Sequence, residues 1–190
     1  MRLDHIAYRV NDRYKTAKFF EEAFGYTIGT KFQIEFDDGS KADCLALEPQ
    51  EERHPDIIEW NVMLADKPKE IDLNNEDVNF HAYHAPPEIF VSDGPVGSIV
   101  GDWVAAREGV GGIHHIAYQC DDVQGTMEEW KSNGYAEFLS EEPLTCPGLM
   151  QVFTKPSELT GVIYELISRE GDGFCEDNVK DLMNSTKELS

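Results

Sequence analysis

The hexapeptide LDHIAY at residues 3–8 returns, little changed, as IHHIAY at residues 113–118. Each copy runs through acidic or amide residues into about three turns of helical pattern, and each helical stretch ends in Gly-Tyr. Self-similarity at this scale predicts two copies of one supersecondary unit, because a repeat of this kind preserves one folding pattern.

The two predicted helices have matching ends. Asp12 and Asp122 are placed to cap their first turns, and Gly25 and Gly134 fit the left-handed position that ends a helix. The helical spacing predicts two buried stripes, which consist of Tyr14, Ala17 and Phe24 in the first copy and Val123, Met127 and Trp130 in the second.

Strand patterns follow each helix. In the first half they cover residues 27–36, 42–47 and 88–92, and in the second half residues 151–154 and 162–167. Each half is thus predicted to be a β-α-β-β-β module, the first at residues 1–110 with an inserted loop near 49–80, the second at 111–190. Residues 57–63 are a further strand candidate inside the loop. A C-terminal helix would bury Val179, Leu182 and Met183.

A single module of this type leaves one face of its sheet uncovered. Two modules side by side predict an α+β fold, in which paired β-α-β-β-β modules form an incomplete barrel around a cleft. Side chains alternate along a strand, so Leu3, His5 and Ala7 would face this cleft, while Ile6, Tyr8 and Val10 would face the helix. By the same alternation His115 would face the cleft and His114 would point away from it.

The last strand of each half carries a carboxylate. Glu165 lies inside an apolar strand, where an unpaired charge is costly, and Glu88 begins the corresponding strand of the first half. Two histidines and one carboxylate form the facial triad of non-haem Fe(II) enzymes, so His5, His115 and Glu165 are predicted metal ligands. With Glu88 added, the site could hold an octahedral divalent cation, although Glu88 could equally be a solvated edge charge.

Composition restricts the possible partners. The 190 residues include 37 acidic and 16 basic side chains, for a net charge of −21, which disfavours nucleic-acid binding. No apolar run is long enough for a membrane span, and no signal-peptide pattern opens the chain. The four cysteines show no zinc spacing, so reduced thiols and a cytoplasmic location are expected.

The paired HIAY motifs, the repeated module and Glu165 resemble the vicinal oxygen chelate superfamily, which includes glyoxalase I, methylmalonyl-CoA epimerase and the extradiol dioxygenases. The resemblance implies a divalent metal in the cleft of the paired modules. It also implies a small-molecule substrate and, as in many of its members, a possible homodimer.

Two families within it are similar to different parts of the chain. Residues 148–156, 162–169 and 173–178 resemble the C-terminal, catalytic half of 4-hydroxyphenylpyruvate dioxygenase, which is about twice as long. That resemblance implies Fe(II) at His5, His115 and Glu165, and substrate contacts from three further residues: Gln151, Phe174 and Asn178.

Residues 97–103 and 112–115 resemble the module junction of methylmalonyl-CoA epimerase. There the resemblance implies Glu88 as a fourth residue around the metal, with Asp43 as an approximate match to a catalytic base. Asp43 could also be a surface charge beside a turn.

Three functions follow as hypotheses. The first is an Fe(II) dioxygenase for a small 2-oxo acid or aromatic substrate, with Glu165 as a catalytic ligand. The second is a redox-neutral epimerase or lyase, which would accept Co, Ni, Zn, Mg or Mn and use a carboxylate to move a proton. The third is a metal-free module that binds or sequesters a small molecule. Arg9, Arg107, Lys155 and Arg169 could supply positive charge to an anionic substrate.

Overall fold

The computed structural model describes residues 1–49, 87–169 and 175–187. The predicted strand at 57–63 therefore lies outside the described residues. The described elements, in chain order, are β1 (Arg2–Val10), α1 (Arg13–Phe24), β2 (Tyr26–Glu35), β3 (Lys41–Pro49), β4 (Glu88–Asp93), α2 (Ile99–Ala105), β5 (Gly111–Gln119), α3 (Val123–Asn133), β6 (Leu144–Cys146), β7 (Leu149–Phe153), β8 (Ile163–Arg169) and α4 (Glu176–Ser185).

All eight strands join one curled sheet in the order β2-β3-β4-β1-β5-β8-β7-β6. The two strands that carry the repeated hexapeptides, β1 and β5, pair antiparallel at its centre. Each is flanked on its outer side by the last strand of its own half, in parallel, as β1 with β4 and β5 with β8. This arrangement confirms the predicted α+β half-barrel and brings His5, His115 and Glu165 to neighbouring strands.

The predicted helix ends are confirmed. The side chain of Asp12 accepts a hydrogen bond from the Lys15 amide at 2.9 Å, and Asp122 accepts one from the Gly125 amide at 2.8 Å. Both helices end at a left-handed glycine, Gly25 with φ 74° and Gly134 with φ 68°, a region that L side chains rarely adopt.

Helix packing agrees only in part with the predicted stripes. Ala17, Val123 and Met127 are buried as expected. Tyr14 and Phe24 are exposed, which corrects the prediction for the first helix. Phe20 packs against the core in their place, since α1 is turned so that Ala17 and Phe20 face the sheet.

Strand β1 presents its two faces as alternation predicts. Val10 is buried with Ile6 and Tyr8 packed against the same cluster, beneath α1. His5 and Ala7 face the other way, into the cleft. Leu3 was predicted to share that face, but it is exposed at the end of the strand and lines no cavity described here.

Two register shifts interrupt the pairing of β1 with β5. Leu3 pairs with Tyr118 and His5 with Ala117, so Asp4 is an extra residue in β1. A second shift leaves His114 as an extra residue in β5, next to His115. Extra residues of this kind are β-bulges, which re-aim side chains locally. The bulges occupy equivalent positions in the two halves, each directly before the cleft histidine.

Helix α2 and strand β6 go beyond the predicted elements, whereas the C-terminal helix was predicted. Helix α2, capped by Ser98, connects the two halves, and its Trp103 is buried. Strand β6 extends the sheet edge beyond β7. Helix α4 lies across the cleft and contributes Val179, Leu182 and Met183 to its lining, which confirms the predicted buried face of the C-terminal helix. No helix among the described residues is long and apolar enough to cross a membrane.

Candidate metal centre

The three predicted ligands converge on one point. His5 Nε2 lies 3.2 Å from His115 Nε2 and 3.3 Å from Glu165 Oε2, and His115 Nε2 lies 3.2 Å from the same carboxylate oxygen. Among the described residues these three form a group of metal-binding type. His5 and Glu165 are buried, at 7% and 2% exposure, so the group is largely withdrawn from solvent.

The spacing of these atoms fits a divalent ion. Ligand bonds of about 2.1 Å would place neighbouring donors roughly 3.0 Å apart on an octahedral face and roughly 3.4 Å apart in a tetrahedron. The observed sides of 3.2–3.3 Å lie between these values. Two imidazole nitrogens and a carboxylate oxygen suit Fe, Zn and other first-row metals. The residues present therefore fit the metal that the sequence implied.

Charge within the group favours an ionised carboxylate. Burial would raise the pKa of Glu165, but hydrogen bonds from His115 and His5 bring it down to about 2. Burial would lower the pKa of His5, but the carboxylates of Asp4 and Glu165 raise it to about 9. In the metal-free protein at neutral pH, the cluster therefore consists of a carboxylate and a protonated His5, while burial keeps the pKa of His115 below its ordinary value.

Each histidine of the group contacts, through its second ring nitrogen, the residue at the preceding bulge. Asp4 Oδ1 lies 2.8 Å from His5 Nδ1, and His114 Nδ1 lies 2.8 Å from His115 Nδ1. A partner on the second ring nitrogen fixes the tautomer and the orientation of a metal-binding histidine. Alternation had predicted that His114 points away from the cleft. That prediction is wrong, because the bulge turns His114 into the cavity wall beside His115.

Glu88 is placed opposite His5 in the register of β1 and β4. Its Oε2 accepts a hydrogen bond from Arg169 Nη2 at 2.9 Å, and Arg169 Nε donates to Asp4 Oδ2 at 3.1 Å. Arg169 thus bridges the two carboxylates that flank His5. Glu88 is not a member of the three-residue group, and its role as a fourth ligand stays a prediction.

The triad lies at the wall of a cavity between the sheet and α4. The cavity encloses about 840 Å³ of space not filled by atoms, part of it open to solvent. Its walls are mostly apolar, as is usual for small-molecule sites, with Phe32, Ile34, Phe90, Leu149 and Phe153 among the contributors. The ring of Phe90 contacts His5 and that of Phe153 contacts His115, each with centroids 4.7 Å apart.

The residues predicted to touch substrate have different settings. Gln151 lines the cavity, and its Nε2 has no hydrogen-bond partner. Asn178 is buried on α4 with an equally unpartnered Nδ2, next to the cavity-lining Val179. Phe174 lies outside the described residues. Asp43 does not line the cavity; it pairs with Arg13 at 3.2 Å and accepts a hydrogen bond from Gln33 at 2.7 Å, a setting that favours an ion-pairing role.

Sequence reasoning did not identify Asp4, assigned His114 to the wrong face of its strand, and left the direction of Arg9 open. All three lie within the hexapeptide strands, so their positions were visible, but strict alternation hides a residue at a bulge. The direction of Arg9 could have been predicted from strand alternation, since Arg9 lies on the same face of β1 as His5 and Ala7. It lines the cavity and is 1% exposed.

A model of a known protein family matches most of the chain. The family model described as "Glyoxalase/Bleomycin resistance protein/Dioxygenase superfamily" matches residues 2–165. A search of curated proteins gives no significant sequence match.

The solved structures with a similar fold include two kinds of enzyme. A triple variant of 4-hydroxymandelate synthase from Streptomyces coelicolor has a TM-score of 0.69 at 19% identity, over 99% of this chain and 54% of the synthase, so this chain spans about half its length. Methylmalonyl-CoA epimerase from Mycobacterium tuberculosis has a TM-score of 0.56 at 16% identity, over 90% of this chain and 89% of the epimerase. A Streptomyces coelicolor methylmalonyl-CoA epimerase variant in complex with 2-nitronate-propionyl-CoA has a TM-score of 0.55 at 20% identity, over 90% and 99%. At these identities the likeness concerns the fold.

Proposed function

Since this chain belongs to the glyoxalase/bleomycin resistance protein/dioxygenase superfamily, we propose that it is a metal-dependent enzyme of the non-haem Fe(II) dioxygenase type. Its substrate would be a small 2-oxo acid or an aromatic compound. The observation that carries this proposal is the buried triangle of His5 Nε2, His115 Nε2 and Glu165 Oε2.

The number of protein ligands supports a dioxygenase over an epimerase. A carboxylate that already accepts from a guanidinium is a poor fourth ligand, and Glu88 is paired in this way with Arg169. Three protein ligands leave positions at the metal for exchangeable groups, as the two-histidine, one-carboxylate oxygenases require.

When bound, Fe(II) at this site would supply the redox chemistry and the exchangeable positions for substrate and oxygen. The chain would orient the metal-binding side chains and exclude water from the site. Asp4 and His114 hold the two imidazoles with Nε2 toward the cavity. The apolar walls and α4 shield the reacting groups from water, which strengthens electrostatic interactions inside.

Substrate orientation would come from Gln151. Its unpartnered Nε2 lines the same cavity as the triad, and a buried donor without a partner costs free energy until a ligand accepts from it. An oxygen atom on the substrate would satisfy this donor. Asn178 and Phe174 remain candidates for the same task from the C-terminal segment.

A redox-neutral epimerase or lyase is the second candidate. The observation that favours it is the coverage of about nine-tenths of both chains in the comparison with methylmalonyl-CoA epimerase. Such an enzyme needs a base within reach of the bound substrate. Asp43, the carboxylate predicted for that task, is paired with Arg13 outside the cavity lining.

The test begins with the metal content of protein purified without oxygen. We expect near-stoichiometric iron in the wild type, loss of the iron in Glu165→Ala, and retention in Glu137→Ala. Glu137 is a matched control, because it is an acidic residue paired with Lys155 at the exposed surface. Oxygen uptake with Fe(II) and a panel of 2-oxo acids then measures the reaction itself.

Other outcomes point to other functions. Another divalent metal that is lost in Glu165→Ala, together with solvent deuterium entering a carbon next to a carbonyl, would favour the epimerase or lyase. Protein that stays metal-free after reconstitution, in wild type and variant alike, would contradict both enzyme assignments. A metal-free binding module would then be the best account.

A further inference from the structure

Arg9 is a buried cation without a counter-ion. It is 1% exposed on the cleft face of β1, in a chain whose acidic residues outnumber its basic ones by more than two to one. Its Nη2 donates to Thr186 Oγ1 at 3.0 Å, but its Nη1 has no hydrogen-bond partner. Among the described residues no carboxylate pairs with Arg9. An uncompensated buried charge costs free energy, and a bound anion would offset that cost.

A second unpartnered donor lies close to it. If His115 is to present a free Nε2 to a metal, its proton must be on Nδ1, which then donates to His114 Nδ1 at 2.8 Å. The proton of neutral His114 is consequently on Nε2, which is buried and has no partner. Both Arg9 and His114 pack against Trp103, at 5.7 and 5.8 Å from its ring centre, and both line the cavity.

We propose that Arg9 and His114 form a binding subsite for a carboxylate on the substrate, distinct from the group that the metal would chelate. Two buried donors without acceptors call for a ligand that brings acceptor atoms. A guanidinium and a second N–H in one apolar cavity suit the two oxygens of a carboxylate.

Charge selects among possible anions. Arg9 offers one positive charge at the cavity wall, and His114 offers the N–H of its unpartnered Nε2. A carboxylate balances that single charge. A phosphate dianion would leave a negative charge in an apolar enclosure, which is unfavourable.

The position of Arg9 defines the form of the substrate, and this step rests on the proposed function. His5, Ala7 and Arg9 follow each other on one face of β1, so His5 and Arg9 are about 13 Å apart at their Cα atoms. The small side chain of Ala7 leaves room between them. A substrate that reaches from metal to Arg9 would carry a chelating 2-oxo acid at one end, an apolar middle and a carboxylate at the other end.

The first experiment avoids the metal altogether. Full-length protein freed of metal with a chelator is titrated calorimetrically with 3-phenylpropanoate and with its neutral analogue 3-phenylpropanamide. We expect the wild type to bind the acid at least about tenfold more tightly, the order of one charge-assisted hydrogen bond. The preference should disappear in Arg9→Gln and persist in Arg107→Gln. Arg107 is the matched control, because it stacks on the same Trp103 at 3.6 Å but does not line the cavity.

A wild type that does not distinguish acid from amide would overturn the proposal, and the two donors would then hold no more than a buried water. A preference that survives in Arg9→Gln would overturn it too. Should Arg9→Gln fail to fold, His114→Phe removes the second donor and is expected to weaken acid binding several-fold; unchanged binding would again contradict the subsite.

The second experiment adds the metal. Protein loaded with Co(II) is titrated with a 2-oxo dicarboxylic acid and with the ester of its distal carboxylate, and the visible spectrum of the metal is followed. We expect the wild type to bind the diacid at least about tenfold more tightly than the ester. Arg9→Gln should bind the diacid and the ester equally well. A protein that passes the metal-free test but binds no metal would refute the proposed function while leaving the carboxylate subsite intact.

Discussion

At the scale of single residues, the two halves of the repeat hold their cleft histidines by different chemistry. Asp4 gives His5 an anionic partner, whereas His114 gives His115 a neutral one. An anionic partner makes an imidazole a stronger metal ligand. The pKa of Asp4 is itself held below its usual range, because hydrogen bonds from His5 and the charge of Arg169 outweigh the effect of burial. The two histidines would therefore be unequal as metal ligands, although their strand positions are equivalent.

Substitution of Asp4 by Asn is expected to weaken metal binding by about 10- to 100-fold, the range found for partners of ligating histidines. The amide keeps the size of the side chain but removes the charge that stabilises His5. Competition with a coloured chelator measures the affinity for Co(II). Asp12→Asn is the control, since Asp12 caps α1 at an exposed position and Asn caps a helix equally well. Equal affinities in wild type and Asp4→Asn would contradict this role.

Metal binding should release a proton and strengthen as pH rises. In the metal-free protein the pKa of His5 is raised from 6.5 to about 9, so at pH 7 a proton occupies a nitrogen that the metal needs. We expect close to one proton released per metal at pH 7, and affinity that rises about tenfold per pH unit until it levels near pH 9. Calorimetry in buffers of different ionisation heat measures the release, and a pH-independent affinity would contradict it.

The same raised pKa also predicts how metal-free stability changes. The protonated His5 interacts with two carboxylates only in the folded chain, so its contribution is complete below pH 6.5 and is lost as pH rises through about 9. Urea unfolding of chelator-treated protein between pH 6 and 9 should show this decline. His5→Gln should flatten the dependence over that interval.

At the scale of elements, the repeat extends to the helix caps. Asp12 and Asp122 each accept a hydrogen bond from an amide three residues further along, at 2.9 and 2.8 Å. We expect Asp12→Ala and Asp122→Ala to lower the free energy of unfolding by about 1 kcal/mol each, the usual value for a lost cap. Urea denaturation measures both, and Asp121→Ala is a control that removes the same charge without a cap. A change as large in Asp121→Ala would attribute the effect to charge instead.

The strands show where sequence reasoning succeeds and where it fails. Alternation correctly places His5, Ala7 and His115 in the cleft, because each keeps a pairing partner in the register of β1 and β5. It misplaces His114, since a bulge adds a residue to β5 without any mark in the sequence. The two bulges precede His5 and His115, and the side chains of the bulge residues contact these histidines. The two bulges therefore contribute side chains to the candidate site.

At the scale of the whole molecule, the repeat made the half-barrel fold predictable, and the lone Glu in an apolar strand made it predictable that Glu165 would meet His5 and His115. The exposed positions of Tyr14 and Phe24 were not predictable in the same way, because helical spacing defines a stripe but not which of several apolar stripes faces the sheet. The pairing of Glu88 with Arg169 likewise depends on which residues the sheet brings together from β4 and β8. Contacts between residues that are distant in sequence depend on tertiary packing, and a local sequence pattern does not predict them.

The candidate metal site would also connect the two halves of the molecule, because His5 belongs to the first half and His115 and Glu165 to the second. An ion that binds the folded chain should therefore stabilise the whole sheet, by about 2.7 kcal/mol at a free concentration 100 times the dissociation constant. We expect Co(II) to raise the unfolding free energy of the wild type and of Glu137→Ala by this amount, and that of Glu165→Ala far less. Hydrogen exchange should show added protection in β1 as well as in β5 and β8. Protection limited to the strands of one half would mean that the ion binds without joining the two, and the shared site at the centre of the sheet would have to be abandoned.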